Sequence, residues 1–205
     1  MEIDFRQLIE QAPLTREAHN ESPAGRVRNA FTIVREFMRA GYPFGIALAA
    51  VTNAQHESGL SNHAMGDKNA SGRHESVGLF QLRWSDDDRG AGVGMSDKAR
   101  QNPVKNTRRI IQETRDYGGA LVAAYNEGAT LGDLAIIFGR DIERPANRGE
   151  GRDSTARSLF GSLADTPANT LALRAGSLGM AMTALPFLIG GGVLVIALGV
   201  WAFRR

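Results

Sequence analysis

The stretch PFGIALAAVTNAQHESG, residues 43–59, determines how the rest of the chain is expected to fold. Residues 46–51 are apolar on every face of a helix, which predicts a central, buried helix. Pro43 suits the beginning of this helix, because its missing N–H costs nothing there, and Gly59 is expected to end it. The apolar run therefore finishes on a single carboxylate, that of Glu57.

Helical spacing of apolar residues recurs along the chain, and no alternating strand pattern of any length is visible. The sequence therefore predicts an all-α domain. Asn102 and Asp153 are expected to cap the helices that follow them. The predicted helices besides the central one cover residues 5–11, 26–39, 103–117, 120–126, 131–138 and 153–163.

Composition limits the kind of protein this can be. The 205 residues suffice for one sizeable core and an appendage, and a net charge of +2 is too small to indicate nucleic-acid binding. The absence of cysteine excludes disulfides and Cys-based zinc sites. His56, His63 and His74 match no familiar ligand spacing, so neither a metal nor a cofactor is expected.

The C-terminal region has the composition of a membrane anchor. No charged residue lies between Arg174 and Arg204, and a bilayer is crossed by about 20 apolar residues. The alternative, a buried core helix, is disfavoured because so small a domain has no place for it. We therefore predict an N-terminal arm (1–25), a catalytic domain (26–163), a linker (164–177) and one transmembrane helix (178–203) in a single-pass membrane protein.

Glu57 is a candidate general acid on position alone. A carboxylic acid keeps its proton near neutral pH when burial disfavours its charged form, and the end of an apolar helix beside a cleft supplies that burial. A solvated carboxylate at a helix end is the common alternative. The tripeptide His-Glu-Ser also occurs at 74–76, but only the first copy ends an apolar run.

Three segments occur in the order known from one enzyme family: Glu57-Ser58-Gly59, Ser76-Val77-Gly78-Leu79-Phe80-Gln81-Leu82 and Ala123-Ala124-Tyr125-Asn126-Glu127-Gly128. Together they resemble the motifs of the soluble lytic transglycosylases of the lysozyme superfamily, over residues 40–130. Phe80 stands where that family has Met, and Glu127 stands where it has a small residue.

The resemblance implies a lysozyme-like (transglycosylase) helical domain in which Glu57 is the acid. Ser58 would orient it, Gln81 would line the floor of the sugar site with Ser76 in the same segment, and Tyr125 and Asn126 would contact the acid or an N-acetyl group. Structural roles remain the alternatives: a helix cap for Ser58, a buried amide for Gln81 and a core side chain for Tyr125.

A second resemblance overlaps the first. The segments Glu57-Ser58-Gly59-Leu60, Gly66-Asp67, 76–81 and Glu143-Arg144-Pro145-Ala146 resemble the phage tail lysozyme domain. This implies a phage-associated enzyme whose partners are peptidoglycan glycan strands and virion membrane or capsid components, and the anchor predicted over 178–203 adds a lipid bilayer as a partner. Asp67 is then a candidate second carboxylate, with loop capping as its alternative, and Glu75 and Asp86-Asp87-Asp88 are further candidates.

Both resemblances imply cleavage of the β-1,4 bond between N-acetylmuramic acid and N-acetylglucosamine. A hydrolase needs a base to activate water, whereas a lytic transglycosylase closes a 1,6-anhydro ring with the muramyl 6-hydroxyl. We expect the transglycosylase, acting on the host wall in entry or lysis. The alternatives are the hydrolase and a non-catalytic virion membrane protein with a glycan-binding lysozyme fold.

Overall fold

The computed structural model describes residues 21–66, 68, 72, 74–84, 91–143 and 150–171, together with the backbone of residues 2–3, 172–173, 188–189 and 192–193. The described part is mostly helical, which confirms the all-α class. The α-helices are α1 (Pro23–Arg39), α2 (Phe44–Ser58), α3 (Asp97–Arg100), α4 (Pro103–Tyr117), α5 (Gly119–Asn126), α6 (Leu131–Phe138) and α7 (Arg152–Phe160).

Helix α2 forms the centre of the domain, as its apolar sequence predicts. It packs against α1, α5, α6 and α7. Thirteen of its 15 residues are buried, and the two that keep partial exposure are His56 and Glu57. A helix covered on all sides has no solvent face, so polar side chains reach the surface only where it ends.

The helix ends follow local capping chemistry. The Ser22 hydroxyl accepts from the Gly25 N–H at 3.0 Å, so α1 begins at Pro23 rather than at residue 26. Asn102 caps α4 as predicted, and Gly59 ends α2 in the left-handed conformation with φ of 61°. The prediction for Asp153 is wrong: Gly151 occupies the N-cap position of α7, and Asp153 lies within the first turn.

Short strands are present, which the sequence did not predict. Strands β2 (Ser76–Val77) and β3 (Leu82–Arg83) form an antiparallel hairpin, and β1 (Glu2–Ile3) pairs in parallel with β4 (Ala172–Leu173). Strands β5 (Leu188–Ile189) and β6 (Gly192–Val193) form another antiparallel pair. Each strand has two residues, which is too short to show an alternating pattern.

The folded domain extends beyond the predicted boundary at residue 163. After α7 the chain forms two 3₁₀ turns, Gly161–Asp165 and Ala168–Thr170, and Ala168 and Leu171 are buried in the core. A Cβ atom on Gly45 would lie 2.5 Å from the Ala168 carbonyl oxygen, so this segment lies directly against α2. Residues 164–171, which the sequence assigns to a linker, therefore contribute side chains to the core.

Within the residues that the structure describes, no helix is long and apolar enough to cross a membrane. The predicted transmembrane helix over 178–203 lies outside those residues, except for the backbone of β5 and β6. The predicted helix over 5–11 also lies outside them. Both remain predictions.

Candidate active site

Glu57 lies in the last turn of α2 with 23% of its side chain exposed. Its Oε1 accepts a hydrogen bond from Nη2 of Arg152, the first residue of α7. The Arg152 side chain is only 1% exposed. The carboxylate is therefore reachable from solvent on one side and held by a buried cation on the other.

Arg152 is fixed by more than this contact. Its Nε donates to Asn53 Oδ1 at 3.1 Å, and its Nη1 donates to the Glu150 carbonyl oxygen at 3.4 Å. The Asn53 amide in turn donates to the carbonyl oxygens of Ala49 at 2.8 Å and Ala135 at 3.0 Å. The guanidinium is thus positioned by α2, by α6 and by the chain just before α7.

A second carboxylate contacts the same cation. Glu143 ends a π-helical turn (Gly139–Glu143), its side chain is 5% exposed, and its Oε2 accepts from Arg152 Nη2 at 3.3 Å. Burial, and next the charge of Glu57, raise the pKa of Glu143 well above its usual range, although Arg152 opposes the shift. Among the described residues, Glu143 Oε1 is buried without a hydrogen-bond partner.

The segment 76–82 returns to the end of α2. The Ser58 hydroxyl, fully buried, lies 2.8 Å from the carbonyl oxygens of both Ala54 and Leu79. Gly78 has φ of +86°, and a Cβ there would lie 2.2 Å from the Arg100 carbonyl oxygen. Ser58 therefore ties the hairpin turn to the end of the helix that carries Glu57.

Gln81 and Ser76 shape the inner side of this hairpin. Gln81 has φ of +43°, uncommon for a residue with a side chain, and its Nε2 donates to the carbonyl oxygens of Gly78 at 3.0 Å and Ala64 at 3.3 Å. The Ser76 carbonyl accepts from the Gly66 N–H at 2.8 Å. Both residues are partly exposed, and neighbouring loop backbone holds the Gln81 side chain in place.

Tyr125 and Asn126 lie in the last turn of α5, which packs against α2. Tyr125 is partly buried against the core, and burial raises the pKa of its hydroxyl. Asn126 is exposed, as is Glu127 beside it. Asp67, the remaining predicted site residue, lies outside the described residues.

The second His-Glu-Ser tripeptide has a different setting. Glu75 precedes β2, 35% of its side chain is exposed, and it pairs with Arg83 at 3.5 Å. His56 Nδ1 lies 3.0 Å from the Thr155 hydroxyl, and His74 Nδ1 lies 2.7 Å from the Gly66 carbonyl oxygen. No group of three metal-ligating side chains occurs within the described part of the chain.

Sequence reasoning missed Arg152 and Asn53, and it quoted Glu143 only as part of a motif. Asn53 carried a usable signal. A polar side chain that closely follows an all-round apolar run in the same helix is expected to be buried. Asn53 is buried, and a buried amide requires hydrogen-bond partners. The sequence did not indicate that the partner is Arg152, which lies 99 positions further along the chain.

Comparison of the chain with protein-family models, with curated proteins and with solved structures found no match. The chemistry of the Glu57 site is therefore the basis for a functional proposal.

Proposed function

We propose that this chain is a lysozyme-like, membrane-anchored enzyme that cleaves the bond between N-acetylmuramic acid and N-acetylglucosamine in peptidoglycan, with Glu57 as the general acid. One observation carries the proposal. Glu57 is a partly exposed carboxylate at the end of a buried helix, and Ser58 beside it fastens that end to the Gly78–Gln81 turn. That arrangement supports a carboxyl group that a sugar oxygen can reach beside the hairpin turn.

In the proposed reaction, Glu57 gives its proton to the glycosidic oxygen as the bond from the muramyl C1 to that oxygen breaks. The muramyl 6-hydroxyl then attacks C1 and returns its proton to Glu57, closing the 1,6-anhydro ring. No water is consumed, and Glu57 ends in the protonation state in which it began. One carboxyl group therefore suffices.

The surroundings of Glu143 favour the transglycosylase over the hydrolase. A hydrolase places a second carboxylate where it can activate water on the opposite side of the sugar. Glu143 is the carboxyl group that shares a cation with Glu57, and it is 5% exposed behind Arg152. A group so buried is badly placed to receive a water molecule that attacks a sugar.

One observation favours a second candidate, a non-catalytic virion membrane protein that binds glycan through the same fold. Arg152 contacts Glu57 directly, and a guanidinium stabilises the charged form of a carboxyl group. A permanently charged Glu57 could accept hydrogen bonds from a sugar but could not donate a proton.

Zymography of the full chain in nonionic detergent, with murein in the gel, separates the two candidates. We expect clearing by the wild type and none by Glu57→Gln. Glu75→Gln is the matched control, because it changes the same tripeptide at the hairpin. Clearing by Glu57→Gln equal to the wild type refutes the assignment of the acid, and no clearing by any form favours the glycan-binding candidate.

A further inference from the structure

Arg152 serves two carboxylates through one nitrogen. Its Nη2 donates both to Glu57 Oε1 and, at 3.3 Å, to Glu143 Oε2, and the contact with Glu57 is the closer one. Because one atom makes both bonds, a movement of the guanidinium that strengthens one of them weakens the other. The two carboxyl groups therefore compete for a single cation.

The shared cation and the pKa of Glu143 fit a state in which the two carboxyl groups hold one proton between them. Burial and the charge of Glu57 raise the pKa of Glu143, so the neutral form of Glu143 persists while Glu57 balances the charge of Arg152. Among the described residues, Glu143 Oε1 is buried without a hydrogen-bond partner. This fits a neutral Glu143, because burying an unpaired oxygen costs less free energy on a neutral group than on a charged one. The cluster is then electrically neutral.

This arrangement conflicts with the role proposed for Glu57, which must carry a proton in order to donate one. The contact with Arg152 stabilises its charged form instead. Resting on the proposed function, we propose that Glu143 is a positioning residue: by ionising, it draws the shared guanidinium of Arg152 toward itself, so that Glu57 can hold the proton that the glycosidic oxygen receives.

The step balances without any further reactant. Glu143 loses one proton and Glu57 gains one through exchange with solvent, Arg152 remains protonated, and the net charge of the cluster is unchanged. Glu57 can exchange protons with solvent because 23% of its side chain is exposed. Only 5% of the Glu143 side chain is exposed. After bond cleavage the 6-hydroxyl proton restores Glu57, so the pair again holds one proton.

The other ionisable groups on the surrounding elements either have partners of their own or are exposed. His56 on α2 lies against the Thr155 hydroxyl on α7, and Asp141 in the π-helical turn forms an ion pair with Arg140. Glu150, which is exposed, contacts Arg152 through its backbone carbonyl. Asp153 on α7 is also exposed.

The test is the pH dependence of glycan cleavage by Glu143→Gln, a nearly isosteric change that cannot ionise. In the wild type the pair keeps its proton, and activity stays level, until the pH at which the pair loses its last proton. In Glu143→Gln, Glu57 must take its proton from solvent while Arg152 opposes this. We expect activity to fall at a pH lower by about one unit or more, which is about a tenfold loss at a pH where both forms are losing activity.

Asp141→Asn is the matched control, because it removes a carboxylate from the same turn that pairs with Arg140 and not with Arg152. It should keep the wild-type pH profile. A purely structural role for Glu143 would lower activity equally at every pH. Either that uniform loss or an unchanged profile in Glu143→Gln overturns the inference.

Carbon-13 NMR of the glutamate carboxyl groups, without substrate, tests the coupling independently of activity. In Glu57→Gln the titration midpoint of Glu143 should move to lower pH, because the charge of Glu57 raises the pKa of Glu143 in the wild type, and an unchanged midpoint overturns the inference. If the wild-type chain cleaves no murein, the proposed function fails and this titration still decides whether Glu143 and Glu57 share a proton. The two failures are therefore distinguishable.

Discussion

Replacing Arg152 with methionine tests the buried cluster most severely. The substitution keeps much of the side-chain volume but removes the guanidinium that contacts Asn53, Glu57 and Glu143. It leaves an amide oxygen and two carboxyl groups without a cation between them. The substitution should therefore lower the free energy of unfolding without changing the helical fold of the native state.

The size of the loss follows from burial. Removing one partner of a buried ion pair costs about 3–5 kcal/mol. Water reaches Glu57, which is 23% exposed, and the raised pKa of Glu143 favours its neutral form with or without the cation. We therefore expect about 3 kcal/mol near neutral pH, at the lower end of this range. The loss should shrink as the pH falls and both carboxyl groups are protonated.

Urea unfolding of the full chain, followed by far-ultraviolet circular dichroism, measures this loss. Arg157→Met is the matched control on the same helix, because Arg157 is 57% exposed and its partner Asp165 is 56% exposed. An exposed pair contributes about 0–1 kcal/mol. The reasoning is refuted if Arg152→Met costs no more than Arg157→Met. Adding Glu143→Gln to Arg152→Met should restore part of the stability, because it removes a buried carboxyl group that has lost its cation.

Three other changes test individual contacts within the domain. Ser58→Ala should cost about 1–3 kcal/mol, because the buried Leu79 carbonyl loses its donor, and faster amide exchange in the hairpin turn should accompany the loss. Gly45→Ala should cost about 1–3 kcal/mol in urea unfolding, because its Cβ would lie 2.5 Å from the Ala168 carbonyl, and a neutral result contradicts that contact. Burial acts to raise the pKa of Glu36, but bonds and charges of nearby arginines outweigh it and lower that pKa. Its stabilisation is thus present above the ordinary pKa and lost as the pH falls through the lowered one. Acid unfolding of Glu36→Gln should therefore show a weaker pH dependence than the wild type, and an equal dependence contradicts this.

The helices were predictable because their patterns are long. Residues 44–51 of α2 are buried and appear in the sequence as an uninterrupted apolar stretch with a proline before it, and a glycine follows the helix. The hairpin of β2 and β3 was not predictable, because strands of two residues have no period. Residues 164–171 were taken for a linker because small residues are common both in linkers and at close contacts such as that between Gly45 and Ala168.

The site was predictable only in part, for a related reason. Glu57 stands out because it is a carboxylate in the last turn of a helix whose residues, apart from His56 and Glu57, are all buried. Arg152 does not stand out, since an arginine before an aspartate at a helix start is usually solvated, and its contact with Glu57 spans 95 residues. Long-range pairing of buried charges depends on how the helices pack. No local sequence pattern indicates such pairing.

The central claim is that Glu57 protonates a glycosidic oxygen. Mass spectrometry of the soluble products from purified murein sacculi tests it most directly, with the wild-type chain and Glu57→Gln compared at equal concentration. We expect 1,6-anhydromuropeptides from the wild type and none from Glu57→Gln. Reducing-end muropeptides from the wild type would contradict the transglycosylase mechanism, and anhydro products from Glu57→Gln would contradict the role of Glu57 itself.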